Sequence, residues 1–511
     1  MHWFEKVSGE LLERKGLQVI ESGTSISGVP HIGNASDVIR GDAIRKALLE
    51  RNADVDFIWV ADDSDPFRKI PGGMEELADY LGFPVKDVPD PDGCHESFVD
   101  HYVEGFLSDL EEFGVKPKAY SATELYRSNA FQEEVEIVLK RSSDIREILN
   151  KFRRKPLPQD TVFWSPVCAN CGKIASTRVT GVDGFMVSYV CQDTEISGGM
   201  VSGCGFKGES DIREGNGKLP WRIEWAVRWK HFRVTCEPLG KEHASAGGSF
   251  WTSRIISKEI LGWEPPLPVI YEFFTLNGEK ISSSKGNVIT LGDWLNICEP
   301  EVLKYFMYKR LKKQRDIKLA SIPSLVDEYD MAERIFFGLE EDDKAGRMYE
   351  LSQVKKPKKL QIPYTLCAVL SQVVSDPGSD EITKRLERQG YKDYNRERLK
   401  NRIRLAGEWS KRYGPSYLNF KLIDENEAEE IKESLTADER LVLRGIADEL
   451  DKDLGAEGLH KRIYEISREN GVKPLRVFQV VYQVLVGKDR GPKAALFILS
   501  LEPGFVKKRF K

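Results

Sequence analysis

A buried strand, a glycine-bearing loop, a helix and a second strand follow one another within the first 62 residues. Leu17–Gly23 is apolar and ends in glycine, and a helix with apolar residues at helical spacing begins near Asn34. A second apolar run, Asp56–Ala61, is followed at once by Asp62, Asp63, Ser64 and Asp65. Strand, helix and strand with polar residues at the strand ends predict a parallel α/β sheet that binds a ligand at its carboxyl edge.

The rest of the chain divides by pattern. Residues 96–219 are irregular and contain a cysteine cluster, so we interpret them as an insertion between two halves of a Rossmann-type sheet, at 1–95 and 220–290. Beyond residue 290 the pattern is helical, which predicts a helical stem-contact region at 291–350 and a helical region at 351–511. The charged stretch Glu340–Lys359 is a plausible linker.

Composition limits the partners of the chain. With 76 basic and 81 acidic residues the formal net charge is −5, so any contact with nucleic acid must come from local basic patches. The N-terminus lacks a secretory signal pattern and no apolar run reaches membrane-spanning length. We therefore expect a cytoplasmic protein that makes no membrane contact.

Pro30-His31-Ile32-Gly33-Asn34 stands between the first strand and the first helix, where helix N-termini bind phosphates. Gly33 would let a nucleotide approach the backbone. His31, and Asn34 through its amide, could donate hydrogen bonds to phosphate oxygens as charge develops. A helix start with an incidental histidine is the alternative for this motif alone.

Far downstream, Lys280-Ile281-Ser282-Ser283-Ser284-Lys285-Gly286-Asn287 follows Asn277-Gly278 and predicts a mobile loop. Its lysine charges and serine hydroxyls could hold pyrophosphate in a transition state, with Lys280, Ser282, Ser283 and Lys285 as candidates. In isolation the string would more often be a solvated serine-rich loop.

Together the two motifs resemble the two signatures of class I aminoacyl-tRNA synthetases, His-Ile-Gly-His and Lys-Met-Ser-Lys-Ser. Asn34 replaces the final histidine of the first signature and Ser283 the second lysine of the other. The resemblance implies ATP binding by His31, Gly33, Asn34, Lys280 and Ser283, with Mg²⁺ as the phosphate counter-ion.

The segments Gly28–Gly33 and Asp62–Pro66 look like those of glutamyl-type enzymes, which carry an arginine seven residues before that glycine. Glu21 stands there instead, which implies a cationic substrate such as lysine. The wider chain, through the catalytic half and into the C-terminal region near Gly487 to Ala494, resembles the class I lysyl-tRNA synthetases, mostly archaeal. The resemblance is most specific in the two signatures, Trp221–Trp229 and Gly240–Gly248.

That resemblance implies ligation of L-lysine to tRNA(Lys) through lysyl-adenylate, with activation that in glutamyl-like enzymes often awaits bound tRNA. We expect lysine to be held by a set of residues from several segments: Glu21, Gly23, Asp62, Trp221, His243 and Tyr271. Aromatic walls suit the methylene stem and attract the ammonium, although each could be core packing. Specificity for arginine, and a non-catalytic tRNA-binding relative, remain alternatives.

Four cysteines, Cys168, Cys171, Cys191 and Cys204, predict a closed structural zinc site, against buried free thiols. A second zinc site is suggested by four potential ligands in one short stretch, Cys94, His95, Asp100 and His101. An ordinary polar helix start is the alternative for the second set.

The region from Lys384 to Tyr413 is rich in cations and carries four aromatic residues. Its cations include Arg385, Arg398 and Arg402, and its aromatic residues are Tyr391, Tyr394, Trp409 and Tyr413. Charge with aromatic platforms suits single-stranded RNA, so the synthetase resemblance favours a helical anticodon-binding region, and solvated helix faces are the alternative. We expect the protein to be a monomer.

Overall fold

The computed structural model describes residues 1–26, 28–281, 287–374, 376, 378–452 and 454–511, without the side chain of Asp343. It falls into two compact units. The first comprises Met1–Leu291 and Lys304–Ile317, and the second comprises Gly292–Leu303 and Lys318–Lys511. The predicted site residues Ser282, Ser283 and Lys285 lie outside the described residues.

The strands, in chain order, are β1 (Gln18–Ser25), β2 (Val55–Asp62), β3 (Lys118–Ser121), β4 (Ser165–Pro166), β5 (Thr177–Asp183), β6 (Met186–Cys191), β7 (Thr194–Ile196), β8 (Gly199–Val201), β9 (Lys207–Asp211), β10 (Gly217–Lys218), β11 (Cys236–Gly240), β12 (Leu267–Tyr271), β13 (Phe274–Leu276), β14 (Glu279–Lys280) and β15 (Arg315–Ile317).

The helices, in chain order, are α1 (Trp3–Leu12), α2 (Ala35–Leu49), α3 (Phe98–Glu112), α4 (Ala122–Arg127), α5 (Gln132–Lys140), α6 (Ser142–Asn150), α7 (Trp221–His231), α8 (Ser249–Ile255), α9 (Leu291–Ile297), α10 (Pro300–Tyr308), α11 (Ile322–Phe336), α12 (Asp343–Ser352), α13 (Tyr364–Val373), α14 (Asp380–Arg388), α15 (Arg396–Tyr413), α16 (Glu425–Ser434), α17 (Ala437–Glu449), α18 (Gly455–Glu469), α19 (Pro474–Val486), α20 (Ala494–Ser500) and α21 (Pro503–Phe510).

A parallel sheet in the order β12-β11-β1-β2-β3 forms the centre of the first unit. Strands β1, β2 and β11 are largely buried on both faces, as the central strands of a parallel sheet covered by helices require, whereas the edge strand β3 is partly exposed. Gly41 of α2 allows close packing, because a β-carbon there would lie 2.7 Å from a ring carbon of Phe57. The predicted Rossmann-type α/β sheet is confirmed, and β3 extends it into the range predicted as an insertion.

The segment between β3 and α7 carries helices and small antiparallel sheets. The helical stretch Glu133–Leu149 is two helices, α5 and α6, that meet at Arg141. Strands β5, β6 and β9 form one antiparallel sheet, and β7 pairs with β8. The four clustered cysteines all lie in this segment, between β3 and α7.

The hairpin that bears Lys280 joins a separate three-stranded sheet in the order β14-β13-β15. Strand β13 pairs antiparallel with β14, and parallel with β15. Asp316 accepts hydrogen bonds from the Thr275 hydroxyl at 2.7 Å and from the Gly278 amide at 2.8 Å. These two hydrogen bonds attach the turn before Lys280 to β15.

The described residues of the second unit are helical apart from turns and connecting segments, as the sequence predicted. The prediction of a linker at Glu340–Lys359 was wrong, because that stretch contains α12. Tyr349 of α12 is fully buried and its hydroxyl donates to Glu333 at 3.0 Å. Leu351 and Ser352 of the same helix are buried as well, so α12 packs on the second unit although the stretch as a whole is highly charged.

None of the described helices combines the length and apolar character needed to cross a membrane.

Candidate active site

A cavity of about 540 Å³ opens at the carboxyl ends of the central strands. Gly23 and Ser25 come from the end of β1, Asp62 from β2, Gly240 from β11 and Tyr271 from β12, and all of them line it. A parallel sheet leaves its ligand crevice at this edge, because the loops that follow the strands diverge there. The cavity therefore lies where the sequence predicted chemistry.

The first signature lies at the rim of the cavity, immediately before α2. The Gly33 amide donates to His31 Nδ1 at 3.0 Å, so the proton of the neutral ring sits on Nε2. Burial lowers the pKa of His31 to about 4. The side chain is thus a neutral donor near pH 7, and it lines the cavity together with Gly33 and Asn34.

Asn34 and Gly33 shape this corner. The Asn34 side-chain oxygen accepts from the His31 amide at 3.0 Å, which leaves the amide nitrogen of the side chain for a ligand. A β-carbon on Gly33 would lie 2.7 Å from His31 Cε1, so only glycine preserves the ring position. Both residues line the cavity, and their binding of phosphate stays a prediction.

The two signatures meet at the cavity. The Ile32 amide donates to the carbonyl of Ile289 at 3.0 Å, just beyond the second signature. Lys280 and Ile281 line the cavity, and Lys280 Nζ lies 5.7 Å from the ring centroid of Phe273. The first residue of the second signature is thus brought to the same space as His31.

Three aromatic residues predicted from distant segments come together at the cavity. Trp221, His243 and Tyr271 all line it. Trp221 stacks on Trp225 with ring centroids 4.9 Å apart, and His243 Nδ1 lies 3.1 Å from the Ser249 hydroxyl. Each of the three side chains therefore contacts the protein and also borders the cavity.

Asp37 was missed by the sequence prediction. It lies in the first turn of α2, lines the cavity and accepts a hydrogen bond from the Tyr271 hydroxyl. Burial raises its pKa to about 7, and Arg40 lies 4.1 Å from the Tyr271 ring centroid. Acidic residues are common in the first turn of helices, so the sequence alone did not single out Asp37.

Glu21 is fully buried and forms an ion pair with Arg228, whose Nε lies 3.0 Å from Glu21 Oε1. Glu21 and Gly23 share one face of β1, and a β-carbon on Gly23 would lie 3.1 Å from Arg228 Nη2. Among the described residues Gly23 lines the cavity and Glu21 does not. Glu21 thus lies behind the cavity wall and already has a cationic partner.

Arg228 also forms an ion pair with Asp62, and lies 3.8 Å from Glu224. Burial raises the pKa of Glu21 to about 7 and raises that of Asp62 as well. The sequence prediction missed Arg228, although the spacing of Glu224 and Arg228 on one helical face was a usable signal.

The aspartates after β2 have separate partners. Asp63 accepts hydrogen bonds from the Thr123 amide at 2.8 Å and from the Thr123 hydroxyl at 2.9 Å, so it caps the start of α4. Asp65 pairs with the buried Lys218 and lines the cavity beside Asp62. Asp62 and Asp65 line the cavity, whereas Asp63 is hydrogen-bonded to Thr123 and has a structural role.

The four clustered cysteines converge on one point. The Sγ atoms of Cys168 and Cys204 are 3.7 Å apart, as are those of Cys171 and Cys191, and all four lie within 4.8 Å of one another. A tetrahedral zinc ion with Zn–S bonds of about 2.3 Å places its sulfurs about 3.8 Å apart. The donor set fits a closed structural zinc site.

The second ligand cluster differs from the prediction by one residue. Cys94, His95 and His101 come together as predicted, but the fourth member is Asp90. Cys94 Sγ lies 3.1 Å from His95 Nδ1, 3.2 Å from His101 Nδ1 and 3.2 Å from an Asp90 oxygen. Asp100 instead accepts from Lys86 and from the Ser97 hydroxyl at 2.6 Å. Asp100 faces the N-terminus of α3, so its inclusion in the predicted set is corrected.

The basic and aromatic stretch Lys384–Tyr413 is partly structural. Trp409 is buried and donates to the Leu319 carbonyl at 2.7 Å. Arg402 is buried between Glu299 and Asp330, and Arg385 and Arg398 also have carboxylate partners. The exposed cations of α15 are Arg396, Lys400, Arg404, Lys411 and Arg412. The predicted RNA-binding set is therefore smaller than the sequence run indicated.

Comparison with known proteins gives the family. A family model described as tRNA synthetases class I (K) matches residues 1–355. Lysine–tRNA ligase from Methanosphaera stadtmanae is 35% identical over 538 residues, which cover 100% of this chain and 99% of that protein. Lysine–tRNA ligase from Methanocaldococcus jannaschii is 36% identical over 543 residues, with 100% and 99% covered.

Among solved structures, a glutamate tRNA ligase from Elizabethkingia meningosepticum in complex with its amino acid is 12% identical, with a TM-score of 0.40. It covers 96% of this chain and 98% of its own. The assignment rests on the family model and on the full-length relatives. By these matches, the chain belongs to the class I tRNA synthetases of group K.

Proposed function

We propose that this protein is a class I lysine–tRNA ligase, which uses ATP to join L-lysine to tRNA(Lys) and forms AMP and diphosphate. The observation that carries the choice of lysine is an excess of carboxylates buried in the cavity wall and behind it. Glu21, Asp62, Asp65, Glu224 and Glu237 are buried or nearly so, and their buried cationic neighbours are Arg228 and Lys218.

This imbalance favours a cationic ligand. Burial raises the pKa of Glu21 to about 7 even beside Arg228, and burial raises the pKa of Glu237 well above its usual range. A neighbouring positive charge would stabilise the ionised carboxylates, whereas a glutamate side chain would add to the repulsion. In this proposal Asp62 faces the substrate directly, and Glu21 supplies negative charge from behind Gly23.

The wall of the cavity suits the rest of the substrate. Trp221 and Tyr271 present aromatic faces to the methylene stem, and His243 lies beside them. Gly23 lines the cavity without a side chain and would leave room for the methylene stem, and a β-carbon there would lie only 3.1 Å from Arg228 Nη2. These residues would therefore set both the length and the charge of the amino acid.

Adenylate formation begins when the lysine carboxylate attacks the α-phosphorus of ATP and diphosphate leaves. The His31 Nε2–H and the Asn34 side-chain amide would donate to the phosphate oxygens, and Lys280 would offset charge on the leaving diphosphate. Ser282, Ser283 and Lys285 would complete that loop. Mg²⁺ would accompany ATP as its counter-ion. A terminal ribose hydroxyl of tRNA then attacks the adenylate carbonyl carbon and AMP leaves.

The proposal extends to the metals and the setting. Cys168, Cys171, Cys191 and Cys204 would hold one zinc ion that stabilises the inserted module, and Asp90, Cys94, His95 and His101 would hold a second. The helical second unit would bind the anticodon region of tRNA. The enzyme would act as a monomer in the cytoplasm, where aminoacyl-tRNA is consumed.

ATP–pyrophosphate exchange tests the proposal. Lysine, arginine and glutamate are each supplied with and without tRNA(Lys), to wild type, Glu21→Gln and the exposed control Glu259→Gln. We expect exchange with lysine and not with arginine or glutamate. The exchange rate should fall in Glu21→Gln and stay unchanged in Glu259→Gln. Exchange with arginine would change the assigned substrate. The absence of exchange with all three amino acids, even when tRNA is present, would favour a non-catalytic tRNA-binding relative.

A further inference from the structure

The cavity at the carboxyl edge of the parallel sheet has two ends with different residues. Asp62 borders it at the end of β2, and Tyr271 borders it at the end of β12. In the sheet order β12-β11-β1-β2 these strands are three positions apart, which corresponds to about 14 Å at a spacing of about 4.8 Å. The β12 end is therefore separate from the Asp62 carboxylate that faces the proposed lysine.

Asp37 brings another carboxylate to the β12 end. It lies in the first turn of α2, is half-buried and lines the cavity. The Tyr271 hydroxyl donates to Asp37 Oδ1. Arg40 donates to the Ser36 carbonyl at 3.1 Å and lies over the Tyr271 ring, and no described residue forms an ion pair with Asp37. The tyrosine thus holds a carboxylate that can still accept a hydrogen bond from a ligand.

Glu242 places a second acceptor beside Asp37. Its carboxylate lies against the end of β11, because a β-carbon on Gly240 would be 2.9 Å from both of its oxygens. Gly240 is paired in register with Tyr271, so this carboxylate lies next to the end of β12. Burial raises the pKa of Asp37 to about 7, and the negative charge of Glu242 contributes to that rise.

The order of the strands leaves this end for the nucleoside of ATP. His31 and Asn34, the predicted phosphate ligands, follow β1, which lies between β2 and β11. The α-phosphate that lysine attacks also carries the ribose, so lysine and ribose extend from one phosphate. With lysine toward Asp62 on the β2 side, the ribose takes the side of β11 and β12.

Carboxylates at this end select hydrogen-bond donors. The phosphates of ATP are anions and would be repelled. Its donors are the two ribose hydroxyls and the adenine amine, and adjacent hydroxyls match two adjacent acceptors. An acidic side chain that binds a ribose hydroxyl also occurs in dinucleotide-binding Rossmann folds.

We propose that Asp37 is a further ATP-binding residue, whose carboxylate accepts a hydrogen bond from one ribose hydroxyl while Tyr271 keeps it in position. Glu242 lies beside it, within the space that the other hydroxyl would enter. This inference rests on the proposed use of ATP and adds a residue that distinguishes ribose from deoxyribose.

Calorimetric titration of the full-length protein tests the contact. The ligands are ATP, 2′-deoxy-ATP, 3′-deoxy-ATP and purine riboside triphosphate, which lacks the adenine amine. Asp37→Ala removes the acceptor, Asp37→Asn keeps one acceptor oxygen, and Tyr271→Phe removes only the hydroxyl that holds Asp37. Asp79→Ala is a control at an exposed aspartate outside the cavity. The titrations are made at pH 8.5, where Asp37 is ionised, and thermal melting confirms that each variant folds.

We expect wild type to bind at least one deoxy analogue about 10- to 100-fold more weakly than ATP. Asp37→Ala should bind ATP more weakly by a similar factor and no longer discriminate against that analogue. Asp37→Asn and Tyr271→Phe should keep part of the preference, and Asp79→Ala should keep all of it. A purely structural role of Asp37 would weaken the binding of ATP and both analogues equally.

Undiminished discrimination in a folded Asp37→Ala, or a loss confined to purine riboside triphosphate, would overturn the assignment. So would a preference that disappears when Mg²⁺ is left out, because the carboxylate would then act through a metal ion. ATP binding is measured without lysine or tRNA. A wild-type protein that binds no ATP would therefore contradict the proposed function itself, whereas ATP binding that is insensitive to Asp37→Ala would contradict this inference alone.

Discussion

Arg228 Nε lies 3.0 Å from Glu21 Oε1, and both side chains are buried. The carboxylate that the sequence predicts to recognise the substrate is therefore already paired with a cation of the protein. The same guanidinium also pairs with Asp62, which does face the cavity. Arg228 therefore links Glu21 to the carboxylate that lines the cavity, and we expect substitutions of Glu21 and Asp62 to have non-additive effects.

Lysine affinity should depend on pH through Glu21. Burial holds its pKa at about 7 in the free protein, so below pH 7 a bound ammonium must displace a proton. We expect lysine to bind more weakly by up to about tenfold per pH unit as the pH falls below 7. Isothermal titration calorimetry from pH 5.5 to 8.5 measures this directly.

Glu21→Gln should flatten that dependence on pH, while Asp37→Asn serves as a comparison because the pKa of Asp37 is also about 7. A pH dependence that survives in Glu21→Gln and vanishes in Asp37→Asn would transfer the effect to Asp37.

His31 should act as a neutral hydrogen-bond donor. Its pKa of about 4 means that it does not change charge between pH 5.5 and 8.5. We expect His31→Ala to lower the rate of adenylate formation by about 10²- to 10³-fold, with lysine affinity little changed. His31→Asn, which restores a side-chain donor, should recover part of the rate. Pre-steady-state kinetics separate a slower adenylate formation from weaker lysine binding. A loss of lysine binding without a loss of rate would contradict the role assigned to His31.

The two ligand clusters should each bind one zinc ion. Cys171→Ser removes a ligand of the cysteine site and Cys94→Ser a ligand of the mixed site. We expect metal analysis to give two zinc ions per wild-type chain and one in each variant. Cys298→Ser, at a buried cysteine outside both clusters, should retain both ions. Zinc loss should destabilise the module of β5, β6 and β9.

Arg402 should stabilise the second unit and take no direct part in RNA binding. It is buried with Glu299 and Asp330, each of which it contacts at 2.6 Å. Arg402→Met leaves two buried carboxylates without their partner, and we expect a loss of about 3 to 5 kcal/mol in the free energy of unfolding. Urea denaturation followed by circular dichroism measures the loss.

Arg396→Met is the matched control for Arg402→Met. Its ion pair with Asp380 is 3.5 Å long and both side chains are mostly exposed. We expect a change within about 0.5 kcal/mol. A comparable loss in both variants would mean that the buried network contributes no more than the surface pair.

The sequence predicts the first half of the site well because local rules govern it. His31, Gly33 and Asn34 lie between a strand and a helix, and a parallel sheet places that junction at the ligand edge. The four cysteines could be grouped because metal ligands of one type have recognisable spacing. Family membership confirms the enzyme class that the two signatures imply.

Long-range partners could not be predicted in the same way. Nothing in the sequence around Arg228 shows that it meets Glu21 more than 200 residues earlier, and Arg402 looks like any cation on a charged helix. Asp90 was missed because a turn, not a helix, returns it to Cys94. The roles of Lys280 and of its loop stay predictions.

The parallel sheet has a consequence for synthesis of the chain. Strand β1 is flanked by β2 on one side and by β11 on the other, and Val19 hydrogen-bonds to Thr235 across 216 residues. At about 5 to 20 residues per second, the ribosome takes about 10 to 40 s to supply that second neighbour. Until then one edge of this apolar strand is unpaired, and an unpaired edge can be bound by chaperones or can aggregate. The inserted module is made during this interval, and its folding, which we propose depends on zinc, would occur while the sheet is incomplete.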